Sequence, residues 1–72
     1  MIYVNKNKNA IFNLNNFLYI SKMDDPTVPT NRRYQIIGRD HLKNDYVIIE
    51  AFDNEKERNK VFNNILDRIG EF

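Results

Sequence analysis

A few positions in this chain carry side chains able to do chemistry. The pair Asp40-His41 contains the only histidine, and a carboxylate beside an imidazole can orient it for general acid–base work. Adjacent side chains on an extended chain point to opposite sides, so the pairing needs a turn; an exposed loop histidine is the simpler reading. Nucleophilic catalysis would have to use Ser21, Thr27 or Thr30 with a distant His41, because the chain has no cysteine and no other serine. Asp24 and Asp25, helped by Asp40 or Asp45, offer carboxylates to a divalent cation, yet neither the spacing nor the glycine of a calcium loop is present. Gly38 and Gly70 are the only glycines, which excludes a glycine-rich phosphate cradle at motif level. The expectation is a protein that is not an enzyme and holds no metal or cofactor.

Two further groups suit binding better than catalysis. Lys6, Lys8, Arg32 and Arg33, with Tyr3, Tyr19 and Tyr34 interleaved, resemble a patch that grips phosphates and stacks on bases. Arg58 falls within the apolar arc of the C-terminal segment. It reads as a snorkelling arginine over the rim of a sheet, or else as an interface arginine that anchors a partner's carboxylate between aromatic rings.

These residues are positioned by a helix at the end of the chain. Val61, Phe62, Ile65, Leu66, Ile69 and Phe72 fall on one arc at about 100° per residue. The spacing predicts one amphipathic helix over about 53–70, started by Asp53 or Asn54 with Glu57 completing a capping box, and stopped at Gly70. Everything upstream is too β-branched, aromatic and interrupted for a second helix. Ile2 to Val4 is a short apolar start, and the asparagine-lysine run 5–9 predicts a hairpin turn. From Ala10 to Ile20, the even positions Ala10, Phe12, Leu14, Leu18 and Ile20 would share a face, with Ile11, Phe17 and Tyr19 opposite. Asn15-Asn16 interrupts this stretch either as a bulge in one long strand or as a turn; the bulge is favoured because parity is kept across it. Residues 24–31 hold both prolines and read as the longest loop. Strands follow over 33–39 and 46–52, with Gly38 marking a bulge or a close approach of another backbone. The fold class is therefore α+β: a three- to four-stranded antiparallel meander covered on one face by a single helix.

Seventy-two residues make one domain, 1–72, near the lower limit for an unaided core. Absent cysteines and the lack of any long apolar run lead us to expect a cytoplasmic protein with no membrane partner. The formal net charge is +1, with five basic and two acidic residues over 1–36 and six basic and eight acidic over 37–72. A field strong enough to draw in nucleic acid is lacking, so only a local patch would serve.

The stretches IFNLNNFLYI and YVIIEAFDNEKERNKVF, separated by a proline-containing loop and followed by a closing helix, resemble short bacterial and phage proteins built from an antiparallel meander and one C-terminal helix. Some of these are loosely similar to half of a pleckstrin-homology fold. That resemblance implies a binding or regulatory role and brings no site residues with it.

The functional expectation is a small protein-interaction module, a bacterial or phage regulator or inhibitor, acting through an exposed sheet face or edge. Ile11, Phe17, Tyr19, Tyr46, Ile48 and Arg58 are its expected interface residues, and its partners a protein and a second copy of itself as a homodimer. The alternative is a nucleic-acid-binding protein using Lys6, Lys8, Arg32, Arg33 and Tyr34.

Overall fold

The computed structural model describes residues 2–40 and 45–69. The expectations placed on His41 and Gly70 lie outside them, as does Phe72. Among the described residues there are two sheets, one α-helix and two short 3-10 turns. Strands β1 (Ile2–Val4) and β2 (Ile11–Asn13) form an antiparallel hairpin, with Tyr3 opposite Phe12. Its turn is held by Asn5, whose Oδ1 accepts from the backbone N–H groups of Asn9 (3.0 Å) and Ala10 (3.3 Å). The left-handed residue of this turn is Lys8, with φ 58°.

Strands β3 (Phe17–Asp24), β4 (Tyr34–Asp40) and β5 (Tyr46–Phe52) form a three-stranded meander in sequence order, with β3 and β5 at its edges. Helix α1 (Glu55–Ile69) packs on β4 and β5. Its N-cap is Asn54, whose Oδ1 accepts from the Glu57 N–H at 2.8 Å. Glu55 and Glu57 add negative charge where the exposed N–H groups concentrate.

The expected bulge at Asn15-Asn16 is corrected. Leu14–Asn16 is a 3-10 turn that ends β2 and starts β3, so the two strands belong to different sheets. Asn13 caps this turn through its Oδ1, which accepts from Asn15 N–H at 3.1 Å; an asparagine able to satisfy the next free donor favours a turn over a continued ladder. The turn keeps Leu14 buried and brings Phe17 inward as well. Phe17 packs inward beside Phe12, ring centroids 6.4 Å apart, while Leu18 is 61% exposed. Register slips between Phe17 and Tyr19. Ile20 then faces Gly38, Lys22 faces Ile36 and Asp24 faces Tyr34 on the helix side of the sheet, whereas Tyr19, Ser21 and Met23 share the rear side with Arg39, Ile37 and Gln35.

Leu14, Ile36, Ile49, Phe52 and Ile65 form the buried centre, with Tyr3, Phe12, Phe17, Tyr34, Val61 and Phe62 packed around it. Each fully buried aliphatic or phenylalanine side chain contributes about 1.5–3 kcal/mol before entropy is charged against it. A second register slip, between Ile36 and Ile37, buries Ile49 and Glu50 together. What comes close to Gly38 is a side chain rather than another backbone: a Cβ there would stand 2.7 Å from Cγ and Cδ1 of the Phe17 ring. On the rear side, the 3-10 turn Thr30–Arg32 packs on β4 and β5, and Gln35 beneath it donates from Nε2 to the Arg32 carbonyl at 3.0 Å. Among the described residues, no helix is long and apolar enough to cross a membrane.

Candidate functional site

Arg58 is drawn inward rather than offered at a rim. It is 4% exposed, and its Nη1 donates to the carboxylate of Asp24 (2.7 Å), to the Met23 carbonyl (3.2 Å) and, at 3.5 Å, to the Gln35 carbonyl. Its Nε donates to Asn59 Oδ1 at 2.7 Å, and its guanidinium lies 5.6 Å from the centroid of the Tyr34 ring. The arginine in the apolar arc thus ties α1 to β3 and β4, and its charge is spent inside the molecule instead of being presented to a partner.

Glu50 is the second internal polar anchor. Its carboxylate accepts from the Tyr3 hydroxyl (3.1 Å) and from the Lys6 N–H (3.1 and 3.2 Å to its two oxygens), fastening the N-terminal hairpin to β5. Burial, then the negative charge of Glu50 and its hydrogen bond, push the Tyr3 hydroxyl up to about 12. Lys6 completes the seam, with Nζ donating to the Ala51 carbonyl at 2.7 Å and lying 4.5 Å over the Phe52 ring. Glu50 is the one charged side chain on β5; its partners, 44 and 47 residues away, carry no local signal.

The basic residues are only partly brought together. Lys6 and Arg32 line one polar cleft of about 450 Å³ with Asn7, Asn31 and Glu50. Lys8 is exposed on the hairpin turn, and Arg33 is half-buried. Tyr34 packs on the core, half-buried, with the Arg58 guanidinium over its ring.

The carboxylates are dispersed as well. Asp24 is engaged by Arg58, and Asp25 accepts from the Thr27 N–H (2.9 Å) and hydroxyl (2.5 Å), which holds its carboxyl below the usual range. Asp40 and Asp45 stand at the opposite end of β4, where Asp40 N–H donates to the Asp45 carbonyl at 2.8 Å. No cluster of three histidine, cysteine or acidic side chains suited to a metal ion occurs among the described residues. Ser21 lies mid-strand on the rear side, opposite Ile37, while Thr27 belongs to the loop before the second 3-10 turn.

What the described surface does concentrate is apolar side chains. Ile11 is 71% exposed on the outer face of the hairpin, beside Val4. Tyr19, Tyr46 and Ile48 are exposed on the rear side, where Tyr19 accepts a hydrogen bond from Arg39 Nε at 3.1 Å. Phe17, placed with these from its parity, belongs to the core instead. The third region was not foreseen as a site: an open groove of about 400 Å³ between β3 and α1, walled by Phe17, Leu18 and Ile20 on one side and Phe62, Leu66 and Ile69 on the other. Leu18 is 61% and Leu66 52% exposed. Leu66 lies on the predicted apolar arc of the helix, and it faces this groove rather than the core.

Searches against models of protein families, curated proteins and solved structures found no match to the chain. Its function therefore rests on the geometry.

Proposed function

We propose that this chain is a non-enzymatic protein-interaction module whose contact surface is the free edge of β3 together with the apolar groove beside it. The observation that carries the reading is the pair Leu18 and Leu66, each more than half exposed, on facing walls of a groove beside a strand edge that no other described strand covers. Contiguous exposed apolar surface costs a small protein solubility, and an edge strand with few protective charges invites pairing. The rear-side tyrosines extend the same surface around Tyr19, which also borders the groove. The resemblance to short bacterial and phage proteins adds the proposal that the module works as a cytoplasmic regulator or inhibitor.

Affinity capture from an extract of the encoding organism tests this, with nuclease treatment of one half and Leu18→Lys as the control. A protein retained by the wild type after nuclease, and lost with the variant, supports the reading; retention that disappears with nuclease overturns it. The second reading, nucleic-acid binding, is favoured by Lys6 and Arg32 sharing one cleft. It requires binding to single- or double-stranded probes that weakens with salt and with Arg32→Ala, and an absence of binding at low salt removes it.

A further inference from the structure

We infer that the groove is the place of a missing fourth strand, and that the strand filling it is β3 of a second copy of this chain, paired antiparallel about a two-fold axis close to Tyr19. This rests on the proposed function and names its partner.

The first support is the direction of the backbone. Asp25 N–H donates to the Arg33 carbonyl at 2.9 Å, and the register pairs Met23 with Gln35, Ser21 with Ile37 and Tyr19 with Arg39. An antiparallel ladder alternates, so these odd positions turn their N–H and C=O groups toward β4, while Ile20 and Lys22 turn theirs away from it. Among the described residues no strand receives them. A strand added there runs about 4.8 Å from β3. The helix-side residues of such a strand would then enter the groove beneath Phe62, Leu66 and Ile69.

The second support is that β3 suits itself. A two-fold contact demands a patch complementary to its own copy. With the axis at Tyr19, Leu18 stands opposite Ile20 of the second copy, and the reverse, so apolar side chains meet where the groove is apolar. Lys22 is the only charged residue within three positions of the axis, and it falls opposite Asn16, in the 3-10 turn beyond the paired segment. An axis at Ser21 would instead set Leu18 against Asp24, placing a carboxylate at an apolar wall. A formal net charge of +1 leaves two copies with little mutual repulsion. The product is a continuous six-stranded sheet in which residues 17–21 of both β3 edges are removed from water.

The test is sedimentation equilibrium from about 1 µM to 1 mM, with hydrogen exchange followed by NMR at both ends of the range. Ile11 is even more exposed than Leu18, so Ile11→Lys serves as the control for added charge. The wild type is expected to pass from monomer to dimer, and the Ile20 amide to gain at least tenfold protection on dimerisation, while the Ser21 amide is protected in both states. Leu18→Lys is expected to stay monomeric with the wild-type circular dichroism spectrum, and Ile11→Lys to dimerise normally. A wild type that is monomeric throughout, a dimer that survives Leu18→Lys, or an Ile20 amide that exchanges equally fast in the dimer overturns the inference. A monomer that still captures another protein through Leu18 overturns the inference alone, leaving the interaction reading standing with a different strand donor; a monomer that captures nothing overturns both.

Discussion

Replacing Arg58 by alanine should remove a large part of the stability of this domain, and the loss should come mainly from contacts other than its ion pair. Three terms are lost together. The buried alkyl stem contributes about 2 kcal/mol at roughly 0.8 kcal/mol per methylene. Charge-assisted hydrogen bonds to the Met23 carbonyl and the Asp24 carboxylate contribute about 1.5–3 kcal/mol, and the contact with Tyr34 about 0.5–1 kcal/mol. Desolvation of the guanidinium opposes these by several kcal/mol, leaving an expected net loss of about 2–4 kcal/mol. A domain of this length has about 4–11 kcal/mol in total. The Asp24 side chain, by contrast, is 56% exposed, so Asp24→Ala lets water take its place beside a guanidinium still held by backbone carbonyls and Asn59; the expected cost is about 1 kcal/mol or less. Arg58→Met, which keeps an apolar stem, should fall between the two. Urea unfolding followed by far-ultraviolet circular dichroism suits a chain without tryptophan, and the linear extrapolation gives each difference. Equal losses for Asp24→Ala and Arg58→Ala would show that the ion pair carries the interaction and would refute the reasoning.

Three other outcomes follow from the packing. Gly38→Ala drives a methyl group into the Phe17 ring and should cost about 1–3 kcal/mol by denaturant unfolding, with Phe17→Leu in the same chain recovering part of the loss. Glu50→Ala strands the Tyr3 hydroxyl and the Lys6 N–H and should cost about 1–3 kcal/mol, with faster hydrogen exchange in the hairpin than in the meander. Because the Tyr3 hydroxyl ionises near 12 in the folded chain and near 10 when unfolded, the unfolded state loses its proton first as pH rises. Stability is therefore full below pH 10 and falls between pH 10 and 12. The shift is worth at most about 2.7 kcal/mol, and about 1 kcal/mol after solvent screening of a half-buried ring; Tyr3→Phe should flatten that part of the profile in thermal melts at pH 9 to 12.

The helix and the meander were legible because their signals are local. Asn54 and Glu57 sit three residues apart at a helix start, and the apolar arc around Ile65 repeats at helical spacing. The break at Asn15 was visible, but its consequence was not: a bulge and a 3-10 turn both keep Leu14 inward, and they differ in what happens to Phe17 and Leu18 beyond. Asn13, able to cap a turn at Asn15, was the available signal. Arg58 could be seen to lie on the apolar arc, yet its acceptors on Met23, Asp24 and Gln35 arise from strands 23 to 35 residues away. The groove was hidden for the same reason. Leu66 belongs to the helical arc and Leu18 to a strand, and only the packing of α1 against β3 makes them face one another.

The Glu50 seam bears on the order in which the chain assembles. Tyr3 and Lys6 reach a strand 47 and 44 residues further on, whereas β3, β4, β5 and α1 each meet a near neighbour along the chain. Loop-closure entropy makes distant pairings slow to form unless the surface they join already exists. The first dozen residues are therefore expected to dock last, onto a scaffold already formed, with the carboxylate of Glu50 hydrated until they do; Glu50→Ala should then speed unfolding more than it slows folding.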